Sequence, residues 1–266
     1  MTSTGEPTQS DEFWYEFLTV GDPNERRKRK IYKRLPHGPR CKMCAAPFAG
    51  MSAPLMRMIG KRPSVKNPKI CDHCYVFMAD HHGGAEILSS FLFADIRGST
   101  GLAESMTSAD FHHLLDRFYA AASSVVFDHD GSVDKFVGDE LVAMFFPLVT
   151  GERHAEQAVN AALALLRATG HEDPGGPWVP VGAGVHTGQA WVGAVGLAGH
   201  TDVTALGDAV NTTARLASAA RAGEVLVTTD AAAYAGLDDQ LERRRLDLKG
   251  KQQITEVVSL SVQPGS

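Results

Sequence analysis

Short apolar runs alternate with amphipathic stretches along this chain, and the clearest run is Phe91 to Thr100, Phe-Leu-Phe-Ala-Asp-Ile-Arg-Gly-Ser-Thr. An apolar run that ends on a carboxylate and turns at a glycine predicts a buried strand delivering Asp95 to a site. A strand this apolar is covered on both faces, and an aspartate at its end either caps the next helix or meets a cation. Ser108 to Phe127 predicts a helix, with Phe111, Leu114, Leu115, Phe118, Ala122, Val125 and Val126 on one side. Ser132 to Phe146 predicts two short strands turning at Gly138-Asp139, a two-residue hairpin signal. A helix over Glu152 to Ala168 follows, then strands over Val179 to Thr187 and Gln189 to Val195 broken at Gly188. Asp202 to Arg215 enters a helix with Asn211 and Arg215 at i and i+4, on one face. Residues 224–227 and Ile254 to Leu260 predict the last strands.

The front of the chain patterns differently. Residues 1–10 carry no periodicity, whereas Phe13, Trp14, Phe17 and Leu18 within Asp11 to Val20 define one face of a short helix, suited to docking on the body or on a second subunit. Asp22-Pro23-Asn24-Glu25 announces a second helix, with Asp22 as its N-cap. That helix runs into Arg26-Arg27-Lys28-Arg29-Lys30, which reads as a solvated face; the acidic body, a membrane surface or a nucleic acid is the alternative contact. Gly83-Gly84 reads as the joint before the main domain. The expected organisation is residues 1–40 as helices and basic segment, 41–84 as a cysteine region and 85–266 as the main domain.

With 266 residues, 44% of them hydrophobic, the chain can bury a sizeable core. No run of 18 apolar residues occurs and Met1 to Ser10 has no apolar h-region, so the expected location is cytoplasmic, without a membrane span. Residues 1–85 hold 14 Lys and Arg against 8 Asp and Glu, and residues 86–266 hold 12 against 23, so a basic front precedes an acidic body. An acidic body argues against nucleic-acid binding as the main role, since phosphate contact needs clustered cations.

All four cysteines fall in two pairs, Cys41-Lys-Met-Cys44 and Cys71-Asp-His-Cys74, separated by 26 residues. Two-residue spacing lets both thiolates of a pair reach one ion, and two pairs complete the tetrahedral shell that zinc prefers. Structural zinc is the expectation, with an iron–sulfur cluster as the alternative and His73, His81 and His82 as bystanders. The intervening loop holds Arg57, Lys61, Arg62, Lys66 and Lys69 and no acid, and it reads as a solvated loop tied at its base by the metal, or a contact for an acidic partner.

If the 132–146 hairpin pairs beside the first strand, Asp95 and Asp139 meet at one end of a sheet. Carboxylates so placed repel unless cations bridge them, and two divalent ions about 3.5–4 Å apart are the usual solution in phosphoryl chemistry. An amide and a guanidinium on one helix face, as at Asn211 and Arg215, can bind a hydroxyl and a phosphate.

Five ordered phrases join these features: Phe93-Ala-Asp-Ile-Arg-Gly-Ser-Thr100, Asp134-Lys-Phe-Val-Gly-Asp139, Gly184-Val-His-Thr-Gly188, Thr204-Ala-Leu-Gly-Asp-Ala-Val-Asn211 with Ala214-Arg215, and Leu248-Lys-Gly-Lys251. Residues 86–260 thereby resemble the catalytic domain of the class III nucleotide cyclases. The resemblance implies a ferredoxin-like α/β palm that works as a head-to-tail homodimer with two symmetric sites across the interface. It implies that Asp95 and Asp139, helped by the backbone carbonyl of Ile96, hold two Mg²⁺ or Mn²⁺ ions. Lys135 and Thr204 match the base-recognition positions, Asn211 the ribose position, Arg215 the transition-state position and Lys249 the terminal-phosphate position. Ser99 stands where phenylalanine is common in the family; backbone amides bind phosphate there, so little loss is expected.

Lysine at 135 and threonine at 204 favour ATP, since the family's guanine-specific pattern usually has glutamate at the lysine position. The implied reaction is conversion of ATP to 3′,5′-cyclic AMP and pyrophosphate. A hydroxyl both donates and accepts, so GTP or a pyrimidine triphosphate stays open as substrate. The alternatives to an active enzyme are a cyclase-fold sensor or dimerisation module, and a nucleic-acid binder centred on the cysteine region.

Overall fold

The structure is a computed structural model, and it describes residues 9–20, 23–35, 39–41, 43–65, 68, 70–196, 202–248 and 254–262. In chain order the elements are α1 (Gln9–Thr19), α2 (Pro23–Lys33), α3 (Ala53–Met58), α4 (Asp72–Asp80), β1 (Gly83–Ile96), α5 (Ser99–Ser105), α6 (Ser108–Asp128), β2 (Ser132–Val137), β3 (Glu140–Phe145), α7 (Pro147–Thr150), α8 (His154–Ala168), β4 (Val181–Val195), β5 (Asp202–Leu206), α9 (Asp208–Ala219), β6 (Glu224–Thr228), α10 (Thr229–Tyr234), β7 (Arg243–Leu246) and β8 (Thr255–Ser261). They divide into two compact units, one of residues 1–87, 147–149 and 190–206, the other of residues 88–146, 150–189 and 207–266. No described helix is long and apolar enough to cross a membrane.

The larger unit is built on a sheet with strand order β2-β3-β1-β4-β6-β8-β7. β1, β3, β2 and β4, with α6 and α8 as crossovers, trace the β-α-β-β-α-β path of a ferredoxin-like palm. Alternation along β6 assigns its faces: Val225 and Val227 join the core of Phe118, Ala122, Leu165 and Leu166 from α6 and α8, while Leu226 joins Leu216 of α9. The helices therefore cover both faces of the sheet, which is why β1 reads as a continuous apolar run.

In the smaller unit α1 lies against α4. Trp14 is fully buried and its indole N–H donates to the His81 carbonyl (3.0 Å), while the Ser10 hydroxyl donates to the His82 carbonyl (2.7 Å). Phe13, Phe17, Phe77 and His81 stack around it, with ring centroids of Phe13 and His81 4.6 Å apart. The proposed cap at Asp22 lies outside the described residues. The basic run is only partly a solvated face: Arg27, Lys28 and Lys30 are exposed, but Arg29 is buried and donates to the Met43 carbonyl.

Two glycine readings are corrected. Gly83-Gly84 is no joint but the start of β1, and a Cβ on Gly84 would come within 2.5 Å of Trp191 and of the Val192 carbonyl. Gly188 does not break a strand, since β4 runs unbroken from Val181 to Val195. A side chain at 188 would press on His186 and on Ala209 of α9, so the glycine serves close approach.

One buried and one half-buried imidazole favour the neutral form in the larger unit. His154 Nδ1 bonds the Ser90 hydroxyl (2.9 Å), which also meets Thr187 Oγ1 (2.6 Å), and His171 Nε2 accepts the Val181 N–H (3.0 Å). Burial lowers both pKa values below the ordinary 6.5. The folded state therefore binds fewer protons than the unfolded chain near that pH, so the stability these groups contribute is full above about pH 6.5 and is lost as pH falls. Thermal unfolding followed from pH 7.5 to 5.5 should show Tm falling below about pH 6.5. His171→Gln, whose amide oxygen can still accept from Val181, should flatten part of that fall.

Candidate active site and four-cysteine centre

β1 and β3 pair antiparallel with Asp95 opposite Glu140, and β3 follows β2 through the Gly138-Asp139 turn. Gly138 has φ 59°, the left-handed conformation that a tight hairpin turn needs. The Tyr119 hydroxyl of α6 donates to the Gly138 carbonyl and its ring packs on Phe136, at 4.2 Å between centroids, so the turn is clamped from the helix side. Asp95, Asp139 and Glu140 thereby crowd one end of the sheet. Burial raises the Asp95 pKa, Arg97 opposes that, and Asp139 adds to it. Glu140 is pushed up to about 7 by burial and by the charges of Asp95 and Asp139. Arg97 is the cation set against Asp95 and Glu140, and the remaining negative charge of an all-oxygen donor set suits divalent cations.

Arg97 also reaches α9. Its Nη2 pairs with Asp95 Oδ2, and its Nη1 donates to the carbonyls of Ser218 (3.0 Å) and Ala220 (3.3 Å) at the end of α9. Asn211 and Arg215 stand on that helix, Asn211 exposed and Arg215 half-buried. Ile96 is buried beside Asp95. Lys135 is exposed on β2, after a bulge, with Nζ 3.4 Å from Asp134 Oδ2. Thr204 is buried on β5, in the smaller unit, paired with Gly193 of β4. Lys249 lies outside the described residues. Glu140, Arg97 and Tyr119 were not singled out from sequence. Glu140 and Arg97 were within reach, because each stands one or two places from a singled-out aspartate.

The four cysteines meet in the smaller unit. All are buried, none forms a disulfide, and their sulfurs lie within 4.8 Å of one another. Cys71 caps the start of α4, Cys74 sits in its first turn, and the Cys71 N–H donates to Cys41 Sγ (3.3 Å). Hydrogen bonding to Cys41 and burial push the Cys74 thiol up; the Cys41 thiol, despite its burial, is held well down by hydrogen bonds from Cys44, Cys71 and Cys74. Cys44 Sγ and Cys71 Sγ are 3.8 Å apart. A tetrahedron with metal–sulfur bonds of about 2.3 Å has edges of about 3.8 Å, so one ion fits. A multi-iron cluster needs its thiolates further apart. Lys61 is buried rather than solvated; burial works against its ammonium, but Cys44, Cys74 and Cys71 outweigh this and raise its pKa.

With this geometry in place, the chain belongs to the adenylate and guanylate cyclase catalytic domain family, whose pattern matches residues 88–260. This is the class III nucleotide cyclase family, a class of enzyme. Adenylate cyclase 1 of Rhizobium meliloti is 36% identical over 130 residues, covering 47% of this chain and 20% of that one. The adenylyl cyclase CyaB from P. aeruginosa is 26% identical with a TM-score of 0.58, covering 68% of this chain and 97% of that structure. The guanylyl cyclase Cya2 has a TM-score of 0.59 at 24% identity, covering 69% and 95%, and shares the fold. The chain spans about a third or less of the length of the curated relatives it matches.

Tyr119→Phe should loosen the turn that presents Asp139, at a cost of about 1 kcal/mol, the size of one hydrogen bond. Denaturant unfolding measures that cost, and Mn²⁺ binding should weaken alongside.

Proposed function

We propose that this chain is an adenylate cyclase, forming 3′,5′-cyclic AMP and pyrophosphate from ATP as a homodimer. The observation that carries the reading is the carboxylate cluster of Asp95 and Asp139 in a cyclase-family palm, on the same unit as α9 with Asn211 and Arg215. Asp95 and Asp139, with the Ile96 carbonyl, hold two Mg²⁺ or Mn²⁺ ions. When bound, these ions lower the pKa of the substrate's 3′-hydroxyl and neutralise the leaving pyrophosphate. Asn211 orients the ribose, so that the 3′-oxygen lies in line with the α-phosphorus. Arg215 places positive charge where it develops on the α-phosphate, and Lys249 holds the terminal phosphates. Lys135 donates to a ring nitrogen of adenine, and Thr204 exchanges a hydrogen bond with the exocyclic amine.

Within the same reading, residues 85–266 form the catalytic unit, residues 1–40 the leading helices, and residues 41–84 a region built on one structural Zn²⁺ held by Cys41, Cys44, Cys71 and Cys74. Zinc is favoured by the close set of sulfurs, and buried Lys61 offsets part of the charge of four thiolates. Metal analysis of purified protein should find one zinc per chain, and Cys41→Ser should lose it together with helical signal in circular dichroism. Full zinc content in that variant would exclude Cys41 as a ligand.

The test of the enzyme is turnover of ATP, GTP, CTP and UTP separately with Mn²⁺. Cyclic AMP should dominate, and Asp95→Ala should abolish it. Arg215→Ala should lower kcat by roughly a hundred- to a thousandfold, the scale of a lost charge-stabilising donor. Mixed together, these two inactive variants should regain part of the activity, because one site of the mixed dimer keeps Asp95 from one chain and Arg215 from the other. No recovery on mixing would rule out shared sites.

A further inference from the structure

Arg97 lies between two parts of this chemistry, the carboxylate cluster and the end of α9. It is the first residue after β1, and its backbone N–H donates to the Pro180 carbonyl (2.8 Å), fixing where the strand ends. From there the guanidinium divides. Nη2 pairs with Asp95 Oδ2, and Nη1 donates to the Ser218 and Ala220 carbonyls, at 3.0 Å and 3.3 Å. Those carbonyls close α9, where last-turn C=O groups lack partners within the helix and the helix dipole favours a cation. One planar side chain thus caps the helix presenting Asn211 and Arg215 and neutralises the carboxylate assigned to a cation. Its Nε and Nη2 are both buried with no hydrogen-bond partner among the described residues, so Nη2 meets Asp95 as an ion pair and the hold rests on that charge contact and on the two carbonyls.

We propose that Arg97 is a positioning residue that couples cation binding at Asp95 to the seating of α9. The inference rests on the cyclase reading of Asp95, Asn211 and Arg215. In the cation-free protein the guanidinium occupies Asp95. A divalent ion at that carboxylate brings like charge against Arg97, so the side chain gives up part of its hold there and leans on the Ser218 and Ala220 carbonyls. Cation binding therefore firms the end of α9. Coupling of this kind is reciprocal, so a well-seated α9 also frees Asp95 for the ion. In a head-to-tail dimer the α9 of one chain serves the site whose Asp95 belongs to the other. Arg97 then ties the loading of one site to the Asn211 and Arg215 arm of the second.

Arg97→Lys separates the two ends. It keeps a charge for Asp95 but replaces the planar fork with a single nitrogen on a flexible stem, which cannot also hold two carbonyls on α9. The experiment is Mn²⁺ binding to nucleotide-free protein, read from loss of the free-ion electron paramagnetic resonance signal, alongside kcat, KM for ATP and Tm, in wild type, Arg97→Ala and Arg97→Lys. Arg97→Ala should bind Mn²⁺ roughly 5- to 20-fold more tightly, because the competing charge is gone. Its kcat should fall about tenfold or more with KM for ATP little changed, as misplacement of a catalytic arm predicts. Arg97→Lys should keep the wild-type Mn²⁺ affinity within about twofold and still lose kcat.

Unchanged or weaker Mn²⁺ binding in an Arg97→Ala protein of wild-type Tm overturns the competition at Asp95. Full kcat in Arg97→Lys overturns the hold on α9. Should the alanine variant not fold, Arg97→Gln gives the same comparison. If the wild type turns over no nucleotide, the cyclase reading fails on its own, and the Mn²⁺ titration still decides whether Arg97 competes with the cation.

Discussion

Like charge crowded at one end of a buried strand is the constraint on which the larger unit depends. Asp95, Asp139 and Glu140 share the edge where β1 meets the β2–β3 hairpin; Asp139 raises the cost of ionising Asp95, and both aspartates raise that of Glu140. A sheet end that serves only stability does not collect carboxylates, because apolar side chains would fill the same space without that cost. The fold absorbs the charge by backbone means as well as by Arg97: the hairpin turn fixes where Asp139 points, and Tyr119 keeps the turn from relaxing outward. Site and scaffold are in this sense one object, since the strands that build the core also set the spacing of the acids.

The cysteine region solves the opposite problem with the same tools. Four buried sulfurs within 4.8 Å carry too much negative charge to stand alone once ionised, and the chain brings Lys61 in from the intervening loop, while Arg29 of α2 is buried on the Met43 carbonyl between two of the cysteines in sequence. Basic residues that look like surface charge in the sequence are here part of an interior. The burial of Lys61 is intelligible only with the thiolates beside it.

Local signals were legible in the sequence and tertiary approach was not. The apolar run to Asp95, the hairpin at Gly138-Asp139 and the paired cysteines each depend on residues a few positions apart, and each appears as read. In the sequence the glycines at 84 and 188 read as chain breaks, the ordinary local meaning of glycine. Their actual reason is the nearness of Trp191 to one and of His186 and Ala209 to the other, which no local pattern encodes. Arg29 and Lys61 failed for the same cause, since burial of a long cation is decided by partners distant in sequence. The short helices α3 and α4 also escaped notice, because α4 is set by its cysteines and its packing with α1 more than by its own periodicity. The separate roles of Asn211 and Arg215 came through resemblance; on residue chemistry alone their helix face was equally a hydroxyl and phosphate site or an exposed polar face.

The placement of Trp14 has an optical consequence. Of the three tryptophans, it alone is fully buried, seated on a helix whose first residues are metal-ligand candidates, with its indole tied to the carbonyl that follows that helix. Its emission therefore carries a signature of the dry, aromatic surroundings of α4, distinct from that of Trp178 and Trp191. The chain contains its own spectroscopic gauge of whether the cysteine region is assembled, readable without a label and independent of any nucleotide.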